Sequence, residues 1–295
     1  MDKNLTIVLS GKKGSGKNTI CNYIAAQYFA CCNKYRYEQK ISIGKSGEMF
    51  VMSAHDAADM FIFDGFGARS IYDDADNYKE PSQLSLMGIK IFSFADTLKN
   101  FCTDVLGVEH HKVWGTQEQK EELTHLTWDG LSQEIKIAWS LENRGKTPDS
   151  GLLYFLNTYM DEYNIPSGQM SGREVMQVFG TDIIRVWYYD AWAEATFRMI
   201  NKWFNNQQYS GKPPALALVC DGRFPNEIDI GLKHGAKTIR LLRDPYYGQD
   251  KHASEIALDD YSLDKYSLVV DNRDMPVKEQ NDFLKPHLIR WFGEM

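Results

Sequence analysis

The sequence predicts an α/β protein built on a doubly wound, five-stranded parallel sheet with helices on both faces. Two observations carry this prediction. Short apolar runs alternate along the chain with helical patterns, and a glycine-rich loop joins the first run to the first helix. Such runs are typical of strands that are buried on both faces of a parallel sheet. Ligands of these sheets bind beyond the carboxyl ends of the strands, so the residues after each run are the functional candidates.

Five apolar runs are the predicted strands. They cover Leu5–Leu9, Ile89–Phe94, Ala215–Cys220, Thr238–Leu242 and Ser267–Val270. Helical spacing of apolar residues predicts helices over Thr19–Phe29, Ala95–Leu106, Gly172–Phe179, Ile183–Phe204, Pro225–His234 and a C-terminal region that Pro276 opens. Two more helical stretches are expected near 130–143 and 150–163. Pro286 should kink or interrupt the last helix.

The chain is predicted to be one domain over residues 1–295, because it has no internal repeat and no low-complexity linker. A segment around 34–87 is an insertion. Its apolar runs Phe50–Met52 and Met60–Phe63 predict one or two hairpins. A second, mostly helical part lies around 107–205.

The composition and net charge of the chain argue against several classes of function. The net charge of −7 over 295 residues, without a broad basic face, argues against binding to a nucleic-acid polymer. No apolar run is long enough to span a membrane, and the N-terminal stretch lacks a signal-peptide pattern. The five cysteines form no metal-binding pattern. We therefore expect reduced thiols and a cytoplasmic protein.

The glycine-rich loop has the spacing of a phosphate-binding P-loop. It reads Gly11-Lys12-Lys13-Gly14-Ser15-Gly16-Lys17, after a predicted strand and before a predicted helix. Glycines let the backbone turn so that successive N–H groups point inward, and the helix N-terminus adds partial positive charge. Lys17 would bring a full charge to the β- and γ-phosphates of a nucleotide. The alternative interpretation is a glycine-rich turn that matches by chance.

The residue after Lys17 departs from the usual loop. Ser or Thr commonly stands there and ligates Mg²⁺, whereas this chain has Asn18 followed by Thr19. We expect the metal to be held mainly by nucleotide phosphates, waters and a second acidic residue. This pattern is more typical of small-molecule kinases than of switch GTPases.

Charged residues follow the second predicted strand and occupy the helical part. Asp96 and Lys99 lie about one turn apart, where they contact a ligand or serve as ordinary helix-terminal charge. A polar group surrounds Gly180 and consists of Arg173, Gln177, Thr181, Asp182 and Arg185. The alternative for this group is a solvated helix face.

The third and fourth predicted strands also lead into charged residues. Asp221 ends the third strand and could order Mg²⁺ or cap the next helix, while Arg223 could clamp a phosphate and Glu227 follows one turn on. The fourth strand leads to a loop rich in Pro, Gly and Asp, which predicts either a mobile lid or a solvated loop. Its cations are Arg240, Arg243, Lys251 and His252.

With these residues in view, the chain resembles the phage deoxynucleoside monophosphate kinase family. The resemblance rests on stretches that occur in the order "LSGKKGSGKNT", "FADTLK", "GVEHHKVWGTQEQKEELTHLTWD", "GREVMQVFGTDIIR", "DGRFPNEID", "IRLLRDP", "HASE" and "VVDN". The combination of "FGTDIIR", "DGRFPNEID" and "HASE" is far more specific than the loop alone. Family members often have Asp where this chain has Asn18, and the segment around 34–87 matches no part of the family pattern.

The resemblance implies a P-loop nucleoside monophosphate kinase fold, Mg²⁺-ATP as donor, a deoxynucleoside 5′-monophosphate as acceptor, a homodimer, and the cytoplasm of a host cell. The expected ATP-binding residues are Gly11, Lys12, Lys13, Gly14, Ser15, Gly16, Lys17, Asn18, Thr19 and Arg243. The expected catalytic residues are Lys17, Arg185 and Arg223, and Asp221 with Asn18 would order the metal. The expected acceptor-binding residues are Asp96, Lys99, Arg173, Gln177, Thr181, Asp182, Arg223 and Glu227. The helical part around 107–205 would bind the acceptor or act as a lid.

Two other functions remain open at this point. One is a P-loop kinase that acts on a modified base within DNA, which the acidic net charge argues against. The other is a regulatory protein that binds a nucleotide without transferring a phosphoryl group, which the arginines at the strand ends argue against.

Overall fold

A computed structural model of the chain confirms the predicted α/β class and its five-stranded parallel sheet. The structure describes residues 4–32, 37–45, 47–53, 60–63, 68–70, 87–142, 166–208, 214–246 and 256–295. The helix predicted near 150–163 lies outside these residues.

The described residues form strands and helices in alternation. The strands are β1 (Leu5–Ser10), β2 (Tyr37–Ile43), β3 (Met49–Ser53), β4 (Met60–Phe63), β5 (Ala68–Ser70), β6 (Ile89–Phe92), β7 (Leu123–Thr127), β8 (Gln169–Ser171), β9 (Leu216–Gly222), β10 (Lys237–Leu241) and β11 (Leu268–Val270). The helices are α1 (Lys17–Cys32), α2 (Phe94–Asn100), α3 (His110–Trp114), α4 (Gln117–Lys120), α5 (Gln133–Glu142), α6 (Gly172–Gln177), α7 (Ala191–Gln208), α8 (Pro225–Lys233) and α9 (Val277–Gly293). Two π-helical segments, Phe101–Val105 and Val178–Arg185, continue α2 and α6.

The central sheet has the strand order β11–β10–β1–β9–β6, and all neighbours pair in parallel. β1 is the middle strand and is buried along its whole length. The chain first moves to the β6 edge, returns to β9 beside β1, and then crosses to β10 on the other side. The carboxyl end of β1 therefore lies where the winding changes direction, which is the usual ligand position in such sheets.

Helix α1 is buried on every side from Ile20 to Ala30. A helix that is apolar around its whole circumference must be covered on all faces. The central sheet covers one side. On the other side, β2–β5 form an antiparallel sheet whose residues Met49, Val51 and Phe63 belong to the same core as α1. The runs Phe50–Met52 and Met60–Phe63 lie in β3 and β4, as predicted.

Two further apolar clusters complete the core. The opposite face of the central sheet packs against α7 and α8 through residues such as Phe197, Ile200 and Ile228. A separate cluster around Trp128 and Val175 joins the helical part to the two-stranded antiparallel sheet β7–β8. The sequence did not predict β7 and β8, because they are short and mostly polar. Among the described helices, none combines the length and the apolarity that crossing a bilayer requires.

Two helix predictions are wrong in detail. The chain stays helical through Gly180, where a break was expected, because the Trp192 Nε1–H donates to the Gly180 carbonyl oxygen at 3.0 Å and Leu98 packs against this position. The interruption lies at residues 188–190 instead, so Ile183–Phe204 is not one helix. Pro286 lies inside α9, which continues to Gly293, so Pro286 does not interrupt the helix, while the alternative of a kink stays a prediction. Burial of the flanking Leu284 and Leu288 stabilises α9 despite the lost N–H donor.

Cys21 of α1 and Cys220 of β9 form a disulfide, with their Cα atoms 6.6 Å apart. The expectation of five reduced thiols is therefore wrong for this pair. The two residues are 199 positions apart in the sequence, and only the packing of α1 on the central sheet brings them together. Cys31, Cys32 and Cys102 form no disulfide within the described residues.

Phe63→Ala tests whether the inserted sheet is part of the main core. The side chain of Phe63 is 1% exposed, and its ring centroid lies 5.8 Å from that of Phe29 in α1. We expect the free energy of unfolding to fall by about 3–5 kcal/mol, because truncation removes buried contacts and leaves a cavity. Chemical denaturation measures this change. The control is Phe283→Ala, at a side chain that is 42% exposed, which should have a small effect. Wild-type stability of Phe63→Ala would contradict the described packing.

Candidate functional site

The glycine-rich loop occupies the carboxyl end of β1 and leads directly into α1. Gly14 and Gly16 have φ angles of 74° and 97°, a region that L-residues with side chains rarely adopt. The ammonium of Lys17, the first residue of α1, donates hydrogen bonds to the carbonyl oxygens of Gly11 at 2.6 Å and Lys12 at 2.7 Å. The lysine thus lies folded against the loop, where its charge is next to any anion that the loop binds.

Asn272, which follows β11, holds the loop in place from the side of β10 and β11. It is fully buried, and its Nδ2 group donates to the Ser15 carbonyl oxygen and to Gln280 Oε1, both at 2.8 Å. Its Oδ1 atom accepts the Arg243 backbone N–H at 3.0 Å. One amide side chain therefore connects the loop to the ends of two neighbouring strands.

Arg243 is fixed by the same region. Its Nε donates to the Asn272 carbonyl oxygen and its Nη2 to the Met275 carbonyl oxygen, both at 2.9 Å. Because these acceptors are backbone groups, the guanidinium keeps its full positive charge beside the loop.

On the other side of β1, Asp221 at the end of β9 binds the first turn of α2. Its Oδ1 accepts the Phe94 N–H at 2.9 Å, and its Oδ2 accepts the Ala95 N–H at 3.3 Å and a short hydrogen bond from the Ser93 hydroxyl. Asp221 thus caps α2, the helix that follows the neighbouring strand β6. The prediction was a cap on the next helix in the sequence, which is α8.

Asp96 lies next to Asp221 and completes the capping box of α2, since its Oδ2 accepts the Ser93 N–H at 3.1 Å. Burial raises the pKa of Asp96 above its usual range. The ammonium of Lys99 opposes this effect, and the negative charge of Asp221 adds to it. The two neighbouring carboxylates make this end of the sheet a site of concentrated negative charge.

Glu227 organises the arginines near Asp221. Its carboxylate accepts hydrogen bonds from Arg185 Nη2 at 2.8 Å, from the Arg223 backbone N–H at 2.8 Å and from the Phe224 N–H at 3.1 Å. The Arg185 guanidinium also lies 3.9 Å from the centroid of the Phe224 ring. Burial raises the pKa of Glu227, while Arg185 and the Arg223 N–H oppose that effect. Glu227 is therefore a buried group that positions these arginines, and its predicted contact with the acceptor stays a prediction.

Two clefts lie at the carboxyl ends of the central strands. The smaller one, of about 220 Å³, lies on the β9 side and is lined by Thr181, Arg185, Asp221, Arg223 and Glu227 together with apolar side chains of α2 and α7. The larger one, of about 1070 Å³, lies on the side of β10 and β11. Its lining includes Lys12, Gly14, Arg243 and Arg273. The nucleotide-sized cleft thus opens beside the loop, and the compact arginine-containing pocket lies at the end of the neighbouring strand β9.

The structure does not bring all of the predicted residues into these clefts. Arg173 pairs with Glu121 and donates to Gln117 on α4, away from the small cleft. The Lys99 ammonium lies 3.5 Å from the Asp96 carboxylate and 4.4 Å from the centroid of the Trp114 ring. In the part of the chain that the structure describes, Gln177 and Asp182 line neither cleft.

The remaining predicted residues lie at the edge of the site or beyond the described ranges. Asn18 is exposed on the first turn of α1, and Thr19 packs toward Gly47 of the insertion. Lys251 and His252 lie outside the described residues. The binding roles assigned to all of these residues stay predictions.

Sequence reasoning missed the supporting residues. Ser93 could have been found from the predicted residue Asp96, since Ser-x-x-Asp before a helix is a capping pattern. Asn272 gave no such signal, because its partners Ser15 and Arg243 are distant in sequence and only the parallel order of the strands brings them together.

The donor set fits a weakly held Mg²⁺. Across the described ranges, no group of three or more His, Cys, Asp or Glu side chains is arranged to hold a metal ion. The neighbouring carboxylates of Asp221 and Asp96 suit a cation that keeps several waters and binds through one or two carboxylates plus substrate phosphates.

No protein-family model matches the chain. The chain is similar to a protein of Acanthamoeba polyphaga mimivirus that carries the provisional name deoxynucleotide monophosphate kinase. The two sequences are 28% identical over 184 residues, which is 61% of this chain and 73% of the mimivirus protein. At this identity the similarity supports a kinase-like activity and leaves the substrate undetermined.

Asn272→Ala tests the anchor of the loop. We expect the free energy of unfolding to fall by about 1–3 kcal/mol, because the substitution leaves the buried Ser15 carbonyl and Arg243 N–H without their partner. Chemical denaturation measures the change. Asp271→Ala, at an exposed residue directly before it, is the control and should leave stability nearly unchanged. Equal effects of the two substitutions would contradict the anchoring role.

Proposed function

We propose that the chain is a deoxynucleoside monophosphate kinase, which transfers the γ-phosphoryl group of Mg²⁺-ATP to a deoxynucleoside 5′-monophosphate. The observation that carries the proposal is the Lys17 loop at the end of β1, with one arginine-containing cleft beside it and a second at the end of the neighbouring strand β9. Phosphoryl transfer between two nucleotides requires two anions to meet at one point, and a loop that binds phosphate with cationic pockets near it meets this requirement.

The large cleft is suited to the donor. Its volume of about 1070 Å³ is sufficient for a whole nucleotide, and it opens beside the loop residues Lys12 and Gly14. Arg243, held by backbone carbonyls, lines the cleft and keeps its positive charge for an anionic ligand. In this arrangement the loop amides and Lys17 bind the β- and γ-phosphates.

The small cleft is suited to the phosphate end of the acceptor. With about 220 Å³ it is smaller than a typical nucleotide site, and its polar lining is concentrated at Arg185, Arg223 and Asp221. Glu227 fixes Arg185 and the backbone of Arg223 before any ligand arrives. Charges that are already in place stabilise a transition state without further reorganisation, which is the main contribution a protein makes to this reaction.

A divalent cation would be held by Asp221, with Asp96 beside it, through waters and the nucleotide phosphates. When bound, the ion neutralises charge that develops on the phosphates. Asn18 is exposed next to Lys17 and could hydrogen-bond a water of the ion. The similarity to the mimivirus protein supports the same reaction class, and a homodimer remains part of the proposal.

The proposal is tested by measuring ADP release from Mg²⁺-ATP with each of the four dNMPs, with ribonucleotides, and without an acceptor. Release that depends on one or more dNMPs is the expected result and names the base preference. Release without an acceptor would favour a nucleotide-hydrolysing or regulatory protein. No release with any mononucleotide, together with phosphate transfer to duplex DNA that contains a modified base, would favour the DNA kinase.

Lys17→Ala should lower kcat at least about a hundredfold, since the lysine supplies a full charge to the transferring phosphates. The fold should be retained, because the Lys17 ammonium donates to carbonyl oxygens of the loop itself, at Gly11 and Lys12. The circular dichroism spectrum and the ADP-release rate are measured on the same sample. Near-normal turnover in a folded Lys17→Ala protein would remove the loop from the mechanism.

Arg223→Ala should raise the KM for the dNMP or lower kcat while it leaves ATP affinity nearly intact, because Arg223 lines the acceptor-side cleft. Arg173→Ala is the matched control. Arg173 pairs with Glu121 outside that cleft, so its removal should change neither parameter by more than about twofold. Equal effects of both substitutions, or a loss of ATP binding in Arg223→Ala, would contradict this assignment.

A further inference from the structure

Arg240 is a buried cation that makes no ion pair with the residues the structure describes. It lies on β10 itself and not in the loop after that strand, where it was expected. It is directly across from Ser10, the last residue of β1, and only 7% of it is exposed. It also lines the large cleft beside the loop. Its position on the strand places it on the opposite face of the sheet from Ile239 and Leu241, which belong to the core around α1.

Two of the other cations of this cleft are compensated by carboxylates, since Lys12 pairs with Asp259 and Arg273 pairs with Asp271. Arg243 is only partly buried and donates to two backbone carbonyls. Arg240 is more deeply buried, and the partners that the structure gives its guanidinium are the hydroxyls of Ser10, at 3.0 Å, and of Tyr266. Within the described ranges Arg240 makes no ion pair, and its buried Nε atom has no hydrogen-bond acceptor.

The hydroxyl of Tyr266 does not provide the missing negative charge. It lies 3.4 Å from the Ser10 hydroxyl oxygen and next to Arg240. Burial raises the pKa of this phenol, and the effects of Ser10 and Arg240 only partly oppose it, so the phenol is neutral at physiological pH. Arginine itself cannot release its proton to relieve the cost of burial. A charged guanidinium in this position costs stability unless an anion joins it.

We propose that Arg240 forms an anion subsite in the floor of the large cleft, and that it binds a phosphate group. This inference rests on the proposed function for the identity of one source, the polyphosphate chain of the donor nucleotide. A free phosphate or a second phosphorylated metabolite is the other source. In both cases the bound anion supplies the negative charge that the described residues do not provide to Arg240. Ligand binding and the stability of the folded protein are therefore coupled at this residue.

The test compares Arg240→Met with Arg198→Met, a matched control at an exposed arginine of α7. Calorimetry measures the affinities of each full-length variant for tripolyphosphate, for ATP and for inorganic phosphate. Thermal unfolding is recorded with and without tripolyphosphate. These readouts do not depend on turnover, so they remain informative if the kinase assay fails.

We expect Arg240→Met to weaken tripolyphosphate binding by about tenfold or more and to reduce the ligand-induced rise in Tm, with no change in Arg198→Met. The Tm of the ligand-free Arg240→Met protein should equal or exceed that of the wild type, because an uncompensated buried charge has been removed. Loss of affinity for ATP and tripolyphosphate alike would assign the subsite to the donor. Loss confined to inorganic phosphate would assign it to a separate phosphate ligand.

Unchanged affinity for all three ligands would overturn the proposal. So would a fall in ligand-free Tm with unchanged affinity, which would make Arg240 a purely structural residue. Arg240→Gln removes the charge but keeps a donor for Ser10, so its affinities decide the matter if Arg240→Met does not fold. If Arg240→Met weakens tripolyphosphate binding but the wild type phosphorylates no dNMP, the anion subsite is supported and the proposed kinase reaction is contradicted.

Discussion

The glycine-rich loop keeps its shape because buried groups at the ends of β10 and β11 hold it. Its backbone N–H groups can point inward only in a conformation that places Gly14 and Gly16 at positive φ, which an isolated loop would not maintain. The Asn272 side chain binds the Ser15 carbonyl from β11, and the same amide fixes Arg243 at the end of β10. The geometry of the loop therefore depends on the order of strands in the central sheet.

The inserted sheet β2–β5 also helps to hold the loop, because it covers the helix α1 that follows the loop. Helix α1 begins at Lys17, and every residue from Ile20 to Ala30 is buried. The central sheet alone covers one face of such a helix, and the antiparallel sheet β2–β5 covers the other. The insertion thus supports the helix whose first residue is Lys17.

The buried arginines on the two sides of β1 have different hydrogen-bond partners. On the β9 side, the buried carboxylate of Glu227 accepts a hydrogen bond from Arg185 and orients its guanidinium. On the β10 side, Arg240 is buried against neutral hydroxyl groups. An arginine with a carboxylate partner holds a geometry, whereas an arginine without one favours binding of an external anion.

The sequence by itself determined the fold class, the five parallel strands and the loop, because strand burial and glycine spacing are local patterns of a few residues. It also identified Asp221 and Arg223 as residues at a strand end. Only the tertiary structure decided which of the candidates meet. It separated Arg173 from Arg185, joined Arg185 to Glu227, and paired Cys21 with Cys220. These contacts join residues that are far apart in the chain, and they depend on strand order and helix packing, which no local pattern encodes.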